Sequence, residues 1–271
     1  MGKKWLTYPY HIWMVLFTVI PLALIVFFAF TSPTGEFTIT TMQRVIDPIY
    51  LGVFWHSIYL AGLSTILCFL IGYPMAMILA GTKLKYRSML VLMIVIPMWM
   101  NFLLRTYAWM TLLERKGLIN IVLTSLHLPV INILYTDYAV LLGMVYNFLP
   151  FMILPIYSVL MKMDKNLIEA AADLGASRWQ AFIKITFPLS LPGVYAGILM
   201  VFMPAVTTFV ISRLLGGGQY TLIGNLIDEQ FLAVGDWNFG SALSVFMLVL
   251  ILFSLGFMSR YEKENEGGMF F

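Results

Sequence analysis

Charged residues are scarce in this sequence. They make up 11% of the 271 residues, whereas a soluble domain carries about 25%. The sixteen basic and thirteen acidic side chains are too few to cover the surface of a globular chain of this length. This shortage excludes a soluble enzyme, a disordered chain and a fibrous chain, and it indicates a protein embedded in lipid.

Cysteine is nearly absent as well. The single cysteine, Cys68, excludes an intramolecular disulfide and any metal site built from cysteines. The three histidines are far apart in the sequence, so we predict no metal site. The formal net charge of +3 is too small and too scattered for a protein that binds nucleic acid.

Hydrophobic residues are abundant, at 61%, and they concentrate in six long stretches. A bilayer core about 30 Å thick requires roughly 20 apolar residues in a helix, and each stretch meets that length. The stretches lack the alternation of outer-membrane barrel strands. We therefore predict an all-α integral membrane protein with six transmembrane helices. The predicted spans are 11–30, 56–80, 88–112, 138–162, 192–213 and 240–259.

The basic residues determine the predicted orientation. With the N-terminus in the cytoplasm, eleven of the sixteen lie on the cytoplasmic side, as the positive-inside rule requires. Both termini are then cytoplasmic. We expect the first span to be an uncleaved helix, because its apolar stretch is too long for a signal peptide and no cleavage site follows it.

The predicted cytoplasmic segment 163–191 is more than a connection between two spans. Asp164 is a good N-cap for a short helix, and Gly175 stands where a left-handed residue would end that helix. Ser177 and Gln180 form a capping box for a second helix, which we expect to end at Pro188. Two interpretations fit this pair: an amphipathic surface lying on lipid headgroups, or a docking surface for a partner protein.

The docking interpretation is supported by a resemblance. Glu169-Ala170-Ala171 is followed after three residues by Gly175, and after nine more by Ile185-Thr186-Phe187-Pro188. This pattern resembles the EAA signature of type I ABC importer permeases, with Phe187 in place of the leucine of the family. The resemblance implies that a separate ATPase subunit binds this coupling loop through Glu169, Ala170, Ala171, Gly175, Ile185 and Pro188.

The same resemblance implies a transport subunit and not an enzyme. ATP and Mg would bind to the partner ATPase and no cofactor to this chain, which lacks the Gly-x-x-x-x-Gly-Lys-Ser/Thr phosphate loop. It implies a multi-pass protein of the bacterial cytoplasmic (inner) membrane. We divide it into a first helix with its outer loop (1–50), a permease domain (51–260) that contains the coupling loop 163–191, and a cytoplasmic tail (261–271), and we expect no second globular domain.

A finer resemblance extends along most of the chain. Segments 96–107, 214–218, 222–225, 174–177 and 236–240 are similar to the first permease subunit of spermidine/putrescine importers. This implies a polyamine substrate, a second homologous permease, two ATPase subunits and an extracellular substrate-binding protein. Permeases for an amino acid, sulfate or thiamine share the EAA loop and remain open alternatives. A stand-alone channel and a lipid-modifying enzyme also remain open.

Polar side chains inside apolar stretches are the candidates for the translocation pathway, because such residues normally face a bundle interior or a cavity. They are Asn101, Tyr107, Tyr146, Asn147, Thr207 and Thr208. Tyrosine rings offer cation–π faces to ammonium groups. The alternative is structural, since threonines often bond to their own helix and asparagines join two helices. We expect Arg105 to reach outward or to pair with an acid.

Asp228 and Glu229 lie on the predicted outer side. They are candidates for contact with the substrate or with a binding protein, and the alternative is solvated surface charge. The outer segments sum to −2 and the inner ones to +5. A mildly acidic entrance favours a polycation by electrostatic steering, although the positive-inside rule alone explains the same division of charge.

Overall fold

The computed structural model describes residues 8–164, 166–218 and 221–267, with the backbone alone for residues 84 and 257–267. Residues 1–7 and 268–271, which belong to the predicted N-terminal segment and tail, lie outside the described residues. The described chain is almost entirely helical. Its helices are α1 (Tyr8–Ala29), α2 (Thr40–Val45), α3 (Pro48–Gly81), α4 (Leu84–Trp99), α5 (Phe102–Leu113), α6 (Leu118–Ser125), α7 (Asp137–Lys162), α8 (Asn166–Asp173), α9 (Arg178–Thr207), α10 (Val210–Leu215), α11 (Ile223–Glu229) and α12 (Trp237–Gly267).

Helices α3, α7 and α9 form the centre of the molecule. Small residues let their backbones approach closely, as is common in membrane bundles. A Cβ atom at Gly193 of α9 would lie 2.9 Å from the carbonyl oxygen of Pro155 in α7, so only glycine fits there. A buried hydrogen bond of 2.8 Å between the hydroxyls of Tyr73 and Ser190 joins α3 to α9. By contrast, α1 packs against α12 and leaves most of its side chains exposed.

The described chain contains five helices that are long and apolar enough to cross a bilayer. They are α1, α3, α7, α9 and the first part of α12, Trp237–Gly256. A sixth span results if α4 is combined with the segment Phe102–Ser125. The predicted all-α membrane fold is confirmed, and the cytoplasmic placement of both termini stays a prediction.

The third span is not the straight helix predicted over 88–112. It bends by 92° around Met100, which is extended with ψ 148°. The Oδ1 atom of Asn101 accepts hydrogen bonds from the N–H groups of Leu103 and Leu104, at 2.8 and 3.4 Å. Asn101 therefore caps a new helix, and this local bond competes with continuation of the preceding one.

The expected helix end at Pro188 is wrong. Helix α9 runs through Pro188 to Thr207, so the coupling loop and the fifth span share one helix. A π turn over Phe182–Thr186 ends two residues before the proline. This wider turn accommodates the ring and the missing N–H, which would break a regular helix. The fifth span also ends earlier than the predicted 192–213, because Thr208 is extended.

Candidate functional site

The first helix of the coupling loop has well-defined ends. The N–H of Asn166 donates to Oδ1 of Asp164 at 3.0 Å, as the sequence predicts. At the other end Gly175 adopts φ +81° and donates its N–H to the carbonyl of Ala172 at 2.9 Å, while Ala176 donates to Ala171 at 2.9 Å. These two bonds form a Schellman motif, which ends α8 at a fixed angle.

The second helix of the loop begins at the predicted capping box. The N–H of Ser177 donates to Oε1 of Gln180 at 2.8 Å, and the N–H of Gln180 donates to Oγ of Ser177 at 3.3 Å. Only Ala176 lies between the glycine turn and this cap. The orientation of α9 relative to α8 is therefore determined by local hydrogen bonds.

The loop surface is unusually apolar for exposed residues. Leu174 is 89% exposed and Trp179 is 68% exposed, and α8 has no buried residue. The two loop helices enclose a cleft of about 490 Å³ that is lined by Ala171, Gly175 and Ile185 among others. The structure thus places three of the predicted coupling residues around one cleft, whereas Ala170 and Pro188 are exposed outside its lining.

Glu169 lines a different cavity. This space of about 360 Å³ lies between α8 and the ends of α3 and α7, where Met77, Gly81 and Leu160 contribute to its wall. The carboxylate of Glu169 is exposed and no salt bridge holds it among the described side chains. The group is consequently accessible to a partner at the same end of the molecule as the cleft.

The candidates for the translocation pathway occupy different environments. Asn101 caps α5, and Tyr107 is exposed. Tyr146 packs edge-on against Trp109, with ring centroids 5.2 Å apart. Asn147 is buried and donates from Nδ2 to the carbonyl of Gly143 at 2.8 Å. Its Oδ1 has no hydrogen-bond partner among the described residues, so this amide retains an unused acceptor inside the bundle.

The two threonines lie at the end of α9. The hydroxyl of Thr207 donates to the carbonyls of Met203 and Pro204, at 3.2 and 3.3 Å, as the structural alternative predicts. Thr208 is buried in the break that follows α9. These residues mark the point where the fifth span becomes irregular.

Arg105 does not follow either expectation. Its side chain is buried, with 9% of the residue exposed, and its Nε has no hydrogen-bond partner in the described structure. Within the described side chains no carboxylate lies within 4.0 Å of it. Its guanidinium carbon lies 6.0 Å from the ring centroid of Phe102. Helix α5, which begins after the bend at Asn101, packs against α7 and α10. Within the described structure the Arg105 side chain thus neither snorkels outward nor forms an ion pair.

A buried polar cluster at the helix break was not predicted. Nδ2 of Asn225 donates to the carbonyl of Phe209 at 2.9 Å, and the hydroxyl of Ser212 donates to Oδ1 of Asn225. The N–H of Ile223 donates to Oγ of Ser57 at 2.8 Å. Asn225 lies in segment 222–225, which carries part of the polyamine-permease resemblance, whereas nothing in the sequence around Ser57 indicates this contact.

Asp228 and Glu229 differ in their surroundings. Oδ2 of Asp228 accepts a 2.7 Å hydrogen bond from Nη2 of Arg213, which joins α11 to α10. Glu229 is exposed and forms no salt bridge within the described part of the chain. Asp228 also lines a cavity of about 400 Å³ together with Thr207. The structure therefore brings one predicted outer residue and one predicted pathway residue to the same space.

Comparison with known proteins agrees with this architecture. The family described as binding-protein-dependent transport system inner membrane component matches residues 70–264. The spermidine/putrescine transport system permease protein PotB of Haemophilus influenzae is 40% identical over 93% of this chain and 91% of its own length. PotB of Escherichia coli K12 is also 40% identical, over 88% of this chain and 90% of its own.

A solved structure has the same fold. A chain in the crystal structure of a bacterial alginate ABC transporter, in complex with alginate pentasaccharide-bound periplasmic protein, aligns with a TM-score of 0.82. The alignment covers 97% of this chain and 95% of that chain at 18% identity. The resemblance to importer permeases is thus confirmed by family, relatives and fold, and so is the inner-membrane location. This chain belongs to the family of binding-protein-dependent transport system inner membrane components.

Proposed function

We propose that this chain is the permease subunit of an ATP-driven polyamine (spermidine/putrescine) importer and that it forms half of the translocation pathway. One observation supports the substrate class: the identity of 40% to PotB of Haemophilus influenzae extends over at least nine-tenths of both chains. The similarity therefore reaches well beyond the coupling loop, which permeases for other solutes share. This favours a polyamine over an amino acid, sulfate or thiamine.

The geometry of the coupling loop supports docking on a separate ATPase. Leu174 and Trp179 are exposed on a loop whose angle is fixed by the Gly175 turn, and exposed apolar groups of this kind mark interaction sites. Glu169 adds a charge that an arginine or lysine of the partner can pair with. ATP and Mg bind to that ATPase in this proposal, and this chain binds no cofactor.

The continuity of α9 suggests how the signal reaches the pathway. The helix has 30 residues, which corresponds to about 45 Å at 1.5 Å per residue. It begins in the coupling loop and ends at the break beside Thr208. When ATP binding closes the ATPases and pulls on the loop, a continuous helix carries that displacement to the other end of the span. The permease then opens outward, and hydrolysis returns it to the inward-facing state.

The remaining partners follow from the proposed assembly. A second homologous permease completes the pathway, two ATPase subunits bind the cytoplasmic face, and an extracellular binding protein delivers the polyamine. The periplasmic protein bound in the alginate transporter structure supports this arrangement. Both termini lie in the cytoplasm, and the coupling loop 163–191 faces the ATPases.

The test is energised uptake by the complete complex in vesicles. The chain is reconstituted with its neighbouring permease, ATPase and binding protein, and radiolabelled spermidine and putrescine are added with ATP. We expect uptake that requires both ATP and the binding protein. Absence of polyamine uptake, with entry of an amino acid, sulfate or thiamine, would refute the substrate assignment.

A further inference from the structure

The cavity beside the break in the fifth span has a mainly apolar wall with two aromatic residues, and one charged residue contributes to its lining. Its volume is about 400 Å³, and its lining includes Thr207, Phe209, Asp228, Phe231, Leu232 and Met247. Those residues come from the end of α9 and the break that follows it, from α11 with the π turn after it, and from α12. The cavity therefore touches the end of the helix that begins in the coupling loop.

Asp228 is the charged group of this cavity. Its side chain is only 16% exposed, whereas the side chain of its partner Arg213 is 54% exposed. One hydrogen bond holds the pair, from Nη2 to Oδ2, instead of the two parallel bonds of a fork. A partly dehydrated carboxylate that is held by one solvent-exposed guanidinium group can exchange that partner for another cation.

We infer that this cavity is a binding subsite for one primary ammonium group of the substrate, which replaces Arg213 at Asp228. The inference rests on the proposed function, since it requires a substrate with ammonium groups. The carboxylate of Asp228 and the hydroxyl oxygen of Thr207 accept hydrogen bonds from the ammonium group, which has three donors. The rings of Phe209 and Phe231 offer cation–π faces.

The rest of the lining suits the remainder of a polyamine. Leu232 and Met247 provide apolar surface for the methylene chain that separates the ammonium groups, and the thioether of Met247 adapts to different shapes. Release of Arg213 also removes the ion pair between α10 and α11. Occupancy of the subsite is therefore linked to the connection between these two outer helices.

If the ammonium group replaces Arg213 at Asp228, substitutions of these two residues have opposite effects on substrate binding. Asp228→Asn removes the carboxylate that binds the ammonium group, whereas Arg213→Gln removes the cation that competes with it. If the pair is only a structural link between α10 and α11, both variants break the same bond and change transport in the same direction. Opposite effects of the two variants on transport therefore indicate a binding subsite, and effects in the same direction indicate a structural link.

The experiment measures KM and kcat for ATP-driven spermidine uptake by the reconstituted complete complex. We expect Asp228→Asn to raise KM about tenfold, which corresponds to about 1.4 kcal/mol, and Asp228→Glu to recover part of the loss. Arg213→Gln is expected to lower KM about twofold to threefold, because the competing cation is gone. This second variant keeps Asp228, so the test remains decisive if Asp228→Asn fails to assemble.

The other outer ion pair provides a matched control. Arg44 and Asp236 form an Arg–Asp pair at 3.4 Å, and neither residue lines the cavity. Asp236→Asn removes the same charge from the outer side and should leave KM within about twofold. Equal changes in Asp236→Asn and Asp228→Asn, or a rise of KM in Arg213→Gln, would overturn the subsite while polyamine uptake still upholds the proposed function. A wild-type complex that imports no polyamine overturns both.

Discussion

The turn at Gly175 allows a graded test of how the coupling loop is positioned. Its φ of +81° lies in the left-handed region, and an added Cβ would meet nothing within 4 Å. Within this chain the cost of Gly175→Ala is therefore a backbone cost, which amounts to about 1 kcal/mol. In the alanine variant the undocked loop relaxes to an unstrained conformation and must return to the strained one in order to dock. The dissociation constant of the ATPase therefore rises by up to about fivefold.

Two further substitutions make this prediction sharper. Gly175→Asn should weaken docking less than alanine, because asparagine tolerates the left-handed region. Gly175→Pro should weaken it most, since proline fixes φ near about −65° and removes the N–H that donates to Ala172 at 2.9 Å. The expected order of affinity is Gly, Asn, Ala and then Pro.

The assay compares ATPase binding with transport on reconstituted permease pairs. Binding is titrated directly, and the number of solute molecules taken up per ATP hydrolysed is measured in parallel. Gly35→Ala is the matched control, because Gly35 has φ +83° and open space around its Cβ position but lies between α1 and α2. Unchanged docking in Gly175→Pro, or equal losses in Gly35→Ala, would refute the reasoning.

Three other substitutions test separate features. Gly193→Ala should lower the midpoint of thermal unfolding in detergent, at a cost of about 1–3 kcal/mol, because its Cβ would lie 2.9 Å from the carbonyl oxygen of Pro155. Gly62→Ala is the control and should leave the midpoint unchanged, since an added Cβ there meets nothing within 4 Å. Asn101→Ala should lower the free energy of unfolding by about 1 kcal/mol because the helix cap is lost, and Asn101→Asp should retain the cap. A change in uptake KM without a loss of stability would instead favour a role of Asn101 in the pathway. Glu169→Lys should leave the protein in the membrane but uncouple ATP hydrolysis from uptake, and unchanged coupled uptake would count against the docking interpretation.

Local chemistry explains which features could be predicted from the sequence. The spans follow from hydropathy because a helix in lipid must satisfy its own backbone hydrogen bonds. The ends of the loop helices follow from Asp164, Gly175 and Ser177, whose cap bonds involve residues two to five positions away. Such features depend on a few neighbouring residues and do not require knowledge of the fold.

Two of the helix boundaries that differ from the prediction have local causes of a different kind. At Asn101 a side-chain hydrogen bond competes with the helix inside an apolar stretch, and hydropathy is insensitive to that competition. At Pro188 the usual rule that proline breaks a helix fails, because the wider π turn before it accommodates the ring and the missing N–H. Residue type alone does not reveal which of these alternatives wins, since both depend on small differences in backbone geometry.

Contacts between distant segments could not be predicted. The hydrogen bond from Ile223 to Ser57 joins residues 166 positions apart, and the pathway candidates are identifiable in the sequence by polarity alone. Polarity indicated Thr207 and Asp228 separately, but only the fold brings them to one cavity. The role of Asn225 is equally hidden, because it depends on a bond to the carbonyl of Phe209, 16 positions away in the break between α9 and α10.

That carbonyl links the coupling loop to the proposed subsite. A break in a membrane helix frees backbone groups that lipid cannot satisfy, so protein must cover them. At this break the carbonyl of Phe209 accepts the first backbone bond of α10, from the N–H of Arg213 at 3.0 Å. It also accepts bonds from Nδ2 of Asn225 and from the hydroxyl of Ser212, at 2.9 and 3.1 Å, and the bond from Asn225 joins α11 to the break. Asp228 follows Asn225 by three residues, close to one helical turn along α11. In the proposed mechanism, a displacement that α9 carries from the Gly175 turn would move the break and the carboxylate of Asp228 together, and ATP binding to the partner ATPase would thereby change the affinity of the proposed subsite.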